Sequence, residues 1–323
     1  MKSALIHTYY LFPVCLMLMF SANLMASDGS LHKLSAGKFV EKSCKNVKLQ
    51  VLGAGGPEIN DGLASASFLL WVNNKARVMI DAGGGSSLNF EKSAADFNDL
   101  DAILFTHFHV DHSAALPVYI KAGYFSGRSR NLMVFGPPAG GDYPSAEDFI
   151  AALFSDKESS AYPYLSDNYR QQDSTDFLIK VRSVNSNGNI WQYSLSEDIS
   201  IAAIDVNHGP VPALAWRVNY RGCSISFSGD MNGNSGHLQK LADKTDLLVA
   251  NNAIPQAAGR VAKKLHMTPK VIGEIAAEAQ VKKLLLSHFM LRTLNTKSES
   301  MAYIKQTYLG EVILSNDLMV VSF

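Results

Sequence analysis

The sequence predicts an α/β (α+β) chain folded as a four-layer αββα sandwich. Three observations carry that prediction. Apolar runs of strand length recur along the chain, amphipathic helical runs occur in both halves, and Gly and Asn turn residues join neighbouring runs as hairpins. Two sheets that bury one face against each other and the other beneath helices use both kinds of segment.

The first-half strands are read at Leu49–Leu52, Ala66–Val72, Val78–Ile80, Ala102–Phe105 and Leu132–Phe135, with Asn73-Asn74 as a hairpin turn. Second-half strands are read at Ile199–Val206, Ala213–Tyr220, Cys223–Ser228, Leu247–Ala250, Lys283–Ser287, Val312–Leu314 and Leu318–Val321, with Arg221-Gly222 as another turn. Helices are expected over Ser113–Tyr124, Ala146–Leu153, Pro269–Gln280 and Glu299–Tyr308. The third is the best defined: Thr268 stands at its cap, Pro269 suits its first turn, and Val271, Ile272, Ile275, Ala276 and Ala279 form one stripe. Residues 155–176 are polar and read as a surface excursion.

Over 323 residues, 47% hydrophobic and 18% charged, 29 basic residues balance 29 acidic ones. That suits a soluble globular protein of one large domain or two small ones and lacks the clustered Lys and Arg that phosphate-backbone binding uses, so nucleic acid is not an expected partner. Residues 1–26 have the order of an export signal: Lys2, then the apolar Leu11–Phe20, then Leu24-Met25-Ala26. That apolar core is about half of the roughly 20 residues that span a bilayer, so no membrane association is expected after cleavage. The expected organisation is 1–26 signal peptide, 27–47 polar leader and 48–323 one domain, placed in the periplasm or outside the cell; a homodimer stays open. Cleavage leaves Cys44 and Cys223, and the strand-like setting of Cys223 favours a small buried residue over a disulfide partner.

Thr106-His107-Phe108-His109-Val110-Asp111-His112 follows an apolar run directly and concentrates three imidazoles and a carboxylate. Extended backbone puts His107 and His109 on one side, and Asp111 and His112 follow a turn to reach a second position. These are ordinary ligands of zinc and its neighbours. His208, Asp230 and His288 each close a later apolar strand, in Asn207-His208-Gly209, Ser228-Gly229-Asp230 and Ser287-His288. Four strands that end in ligand-type residues point to chemistry gathered at one sheet edge.

The His-x-His-x-Asp-His cluster, those three later elements, Leu52-Gly53-Ala54-Gly55-Gly56-Pro57 and Ile80-Asp81-Ala82-Gly83 together resemble the metallo-β-lactamase-fold hydrolases. The resemblance implies two metal ions, one held by His107, His109 and His208, the other by Asp111, His112 and His288, with Asp230 bridging. Two Zn2+ are expected, with Mn2+ or Fe2+ as alternatives. His266-Met267-Thr268 and Arg292 resemble elements of the ribonuclease Z and zinc arylsulfatase branch. A glutamate common in that branch after Asp246-Leu247-Leu248-Val249 is absent; Ala250-Asn251-Asn252 stands there. This resemblance implies hydrolysis of a small ester by a metal-bridging hydroxide, with an aryl sulfate as the first expectation and a phosphodiester as the alternative. Asp111, Asp230 and His266 are its catalytic candidates, Arg292 and Asn251 its substrate contacts, and Asp81 a partner for a ligand histidine. A catalytically inactive metal-binding module is the alternative from another class.

Overall fold

Strands of the first half form one sheet, and those of the second half nearly all of another. In the computed structural model, which describes residues 44–169 and 177–322, β1 (Val47–Gly53), β2 (Ser67–Val72), β3 (Lys75–Ile80), β4 (Ala102–Leu104), β5 (Leu132–Gly136) and β6 (Ile179–Ser183) belong to the first. The second comprises β7 (Trp191–Ser194), β8 (Ile199–His208), β9 (Val211–Tyr220), β10 (Cys223–Phe227), β11 (Leu247–Asn251), β12 (Lys283–Ser287) and β13 (Glu311–Leu314). The last strand, β14 (Val320–Ser322), returns to the first sheet beside β1. The orders are β14-β1-β2-β3-β4-β5-β6 and β13-β12-β11-β10-β9-β8-β7. Each sheet is antiparallel on one side and parallel on the other: β3 through β6 run parallel in the first, β10 through β13 in the second.

Period-two alternation explains the layers. Leu49, Val51, Phe68, Leu70, Val78 and Ile80 face Ile201, Trp216, Val218, Ile225 and Phe227 between the sheets. The alternate residues Leu69, Met79 and Ile103 face outward beneath Leu116, Tyr119 and Ile120 of the helix Leu116–Ser126. On the other side Ile204, Ala215, Leu248 and Leu286 meet Ile272, Ile275 and Ala276 of the helix Pro269–Glu278. Two buried hydrogen bonds tie the sheets together where β4 ends: Trp216 Nε1 donates to Phe105 O at 2.9 Å and Leu214 N to Thr106 O at 2.8 Å. The loop that follows is thereby fixed against β9.

Several expectations need correction. Strands β6 and β7 were not anticipated, because both are half-exposed sheet edges and lack a sustained apolar run. The helix expected over Ser113–Tyr124 is two, Val110–Ser113 and Leu116–Ser126, with Pro117 in the first turn of the second. Thr268 precedes the helix Pro269–Glu278 without a side-chain capping bond. The excursion at 155–176 is partly docked: Leu165 and Asn168 are buried, and Asn168 Nδ2 donates to Phe177 O at 3.0 Å. Its residues 170–176, the signal at 1–26 and the leader up to residue 43 lie outside the described residues. Cys223 is buried but not unpaired. It is bonded to Cys44, with Cα atoms 5.6 Å apart, because the turn before β1 passes the start of β10.

Candidate metal centre

The ligand-type residues converge because each follows the carboxyl end of a strand, and those ends meet at one edge of the sandwich. His107, His109, Asp111 and His112 follow β4, His208 closes β8 at its hairpin with β9, Asp230 follows β10, and His288 follows β12. The strand before the first cluster stops at Leu104, so its histidines are placed by loop and helix rather than by extended alternation. His288 is held at φ 56, as is Asp81 after β3. Non-glycine residues rarely adopt this conformation, and both side chains are turned into the site. Gly83 allows the close approach behind it: a Cβ there would lie 2.3 Å from Asp111 O.

Two donor groups result, each with its ligand atoms within 4.8 Å of one another: His107, His109, His208 and Asp230, and Asp111, His112 and His288. Asp230 lies between them. Its Oδ2 is 3.9 Å from His107 Nε2, 3.8 Å from His112 Nε2 and 3.7 Å from His208 Nε2, while Oδ1 is 3.5 Å from His288 Nε2. Ring nitrogens face one another at 3.2 Å between His112 and His288 and 3.4 Å between His208 and His109. His107 Nε2 is buried with no hydrogen-bond partner. Imidazole nitrogens and carboxylate oxygens aimed at common points, with no lysine or arginine in either group, fit divalent metal ions.

The far sides of the rings are secured. Asp81 Oδ2 lies 2.8 Å from His112 Nδ1, His208 Nδ1 2.8 Å from Leu265 O, and Thr106 Oγ1 3.1 Å from His107 Nδ1. Such partners fix ring orientation and leave the opposite nitrogen for the metal. Burial pushes the His112 imidazolium down, but Asp81, Asp111 and Asp230 outweigh it and hold it up at about 10. Burial likewise raises Asp111, yet His112 and His288 bring it to about 2. Asp230, buried among four histidines led by His288 and His112, is held well below the usual carboxylate range. His107 goes the other way, pushed well down by burial and by His112.

A cavity of about 300 Å³ opens onto these groups, walled by Pro57, Val110, Leu265 and Met290, with Arg292 and His266 at its side. Arg292 Nε donates to Ala253 O at 2.8 Å, which holds the exposed guanidinium at the opening. His266 Nδ1 is buried without a hydrogen-bond partner, 3.7 Å from Asp230 Oδ2. Burial pushes this ring down to about 4, so it is neutral near neutral pH.

Asn251, expected as a substrate contact, does not line the cavity. It is buried at the end of β11, and its Nδ2 donates to Asp230 Oδ1 at 2.8 Å. Sequence reading also missed Asp317, whose carboxylate accepts from Ala54 N, Ala64 N and Asn89 Nδ2 at 2.9, 2.8 and 2.9 Å and so shapes the glycine-rich loop. Its only signal was a polar residue between the last two strands.

Two facing sheets with clustered histidines and aspartates at one edge define a metal-dependent hydrolase of the metallo-β-lactamase fold. The Beta-lactamase superfamily domain matches residues 76–289, and the chain belongs to that family. Ribonuclease Z of Clostridium tetani is 24% identical over 280 residues, spanning 75% of this chain and 88% of that protein. Among solved structures, the metallo-beta-lactamase fold protein YhfI from Bacillus subtilis superposes with a TM-score of 0.66 at 18% identity, over 86% of this chain and 99% of that one. The short form of human tRNase Z gives 0.64 at 21% identity, over 85% and 98%. The expectation that nucleic acid is excluded as a partner does not stand beside curated relatives that are ribonucleases. Net charge is a poor guide here, since it does not count the charge that metal ions held by these donors would add.

Proposed function

We propose that this chain is an exported, zinc-dependent phosphodiesterase acting on an RNA-type phosphodiester. One observation carries the reading. Six further donors are assembled around Asp230 in a chain that aligns with 88% of the length of a ribonuclease Z. His107, His109 and His208 would hold one zinc ion and Asp111, His112 and His288 a second, with Asp230 offering an oxygen to each. Bound there, the ions would supply water activation near neutral pH and offset charge on the phosphoryl oxygens.

The protein's own groups do the rest. Asp111 is ionised and borders the cavity, so it can accept a hydrogen bond from the attacking water. Arg292 at the opening offers fixed N–H donors to a phosphate oxygen. His266 presents a neutral ring beside Asp230 and acts as a hydrogen-bond donor to the substrate rather than as a ready acid. The ribonuclease Z relatives favour the phosphodiester over the aryl sulfate. Export is supported by the Lys2, Leu11–Phe20, Ala26 pattern and by the Cys44–Cys223 disulfide, since such bonds persist in oxidising compartments.

The test is turnover by the zinc-loaded protein of three substrates: bis-para-nitrophenyl phosphate, para-nitrophenyl sulfate and a short RNA. Cleavage of the phosphodiesters with little action on the sulfate is expected. Preference for the sulfate would return the function to an arylsulfatase.

A further inference from the structure

Among the described residues Asp230 is the carboxylate placed between both donor groups, and its two oxygens have different surroundings. Oδ2 faces the Nε2 atoms of His107, His112 and His208 at 3.9, 3.8 and 3.7 Å. Oδ1 faces His288 Nε2 at 3.5 Å and also accepts a hydrogen bond from Asn251 Nδ2 at 2.8 Å. Both residues are buried, Asp230 at 3% and Asn251 at 5% exposure, so no bulk water competes for that contact. The amide is itself fixed: Asn251 ends β11 in register with Ser287, next to His288, and its backbone N donates to Ser228 Oγ at 3.1 Å. Ser228 Oγ in turn donates to Gly229 O at 2.7 Å, which returns the chain of bonds to the residue before Asp230.

We infer that Asn251 is a positioning residue that sets the rotation of the Asp230 carboxylate and thereby how strongly the two metal positions are bound. A carboxylate turns easily about its last torsion unless something holds it. The amide at Oδ1 stops that turn, keeping Oδ2 toward His107, His208 and His112 and leaving Oδ1 one free lone pair toward His288. A shared oxygen donates less to a cation, so the position built on Asp111, His112 and His288 is the weaker of the two and depends more on Asn251. A neutral amide also adds no further negative charge beside Asp230 Oδ1. A carboxylate in its place would stand beside Asp230 with its charge opposed.

The inference rests on the two-ion reading, and one experiment separates their fates. Metal-free wild type, Asn251→Ala and Asn251→Asp are titrated with Zn2+ against a chromophoric chelator, and the Co2+ forms are followed by their visible spectra. Two resolved steps in the wild type are expected; a single step overturns the two-ion reading itself. Asn251→Ala should weaken one step by about 10–100-fold and the other by less than about threefold, the usual cost of losing a ligand's hydrogen-bond partner. Asn251→Asp, of equal size but charged, should give a Co2+ spectrum altered at that same step. With two steps in the wild type, unchanged affinities in Asn251→Ala, or equal weakening of both steps, would overturn the positioning role. Asn251→Asp serves as the second variant should the alanine form fail to fold.

Discussion

Asp81 and His112 are joined by a 2.8 Å hydrogen bond between Oδ2 and Nδ1, and the same carboxylate also accepts from Thr106 N and Thr106 Oγ1 at 2.7 and 2.9 Å. One residue at φ 56 thus links the end of β3, the start of the ligand loop and a ligand ring. Asp81→Ala leaves the buried Thr106 N–H without a partner and should destabilise the metal-free protein by about 1–3 kcal/mol. Asp81→Asn keeps an acceptor for Thr106 but removes the charge facing His112. It should lower metal affinity about 10–100-fold with a smaller loss of stability. Denaturant unfolding and chelator competition on both variants check this.

His112, held up at about 10 by Asp81, Asp111 and Asp230 against burial, carries a proton in the metal-free protein near neutral pH, and burial opposes but Asp230 and Asp111 raise His288 as well. Metal binding must displace such protons, so affinity should rise with pH and about one to two protons should leave per chain. Calorimetry in buffers of different ionisation enthalpy counts them. The sign for stability follows from the raised pKa of His112. Its contribution to the metal-free fold is complete below about 6.5, the unfolded value, and is lost as pH rises toward about 10. A metal-free protein that gains stability over that interval would contradict the assignment.

The Cys44–Cys223 disulfide closes a loop of 179 residues in sequence and anchors the start of β1 to β10. Reduction should cost about 2–5 kcal/mol of stability. Thermal unfolding with and without reductant measures this, and thiol titration of protein lacking residues 1–26 should find no free thiol before reduction.

His266→Ala should raise KM and slow esters of good and poor leaving groups by similar factors, because a neutral ring positions substrate without supplying a proton. Steady-state kinetics on a nitrophenyl and an alkyl phosphodiester distinguish the roles. A loss of roughly 10²-fold confined to the alkyl ester would make His266 the general acid.

The strands that carry the ligands were legible because each is an apolar run ending in a His or Asp, a pattern in which burial and chemistry change over within one or two residues. His107, His109, Asp111, His112, His208, Asp230 and His288 all lie at the one sheet edge that this pattern implied. Edge strands β6 and β7 were invisible because half-exposed strands need no apolar run. The roles of Asn251 and Asp317 depend on contacts across 21 and 228 residues of chain, as in Asn251 to Asp230 and Asp317 to Asn89, which no local pattern encodes. Cys44 and Cys223 were misjudged for the same reason: burial of Cys223 was readable, but its partner's approach was not.

On the proposed function, two cations held around Asp230 make this chain a phosphodiesterase. This is tested most directly by titrating zinc into metal-free protein while following hydrolysis of bis-para-nitrophenyl phosphate. Turnover should be absent without metal, climb with added zinc and level off at about two equivalents per chain. A rate that levels off at one equivalent, or no phosphodiester cleavage at saturating zinc, would contradict the account.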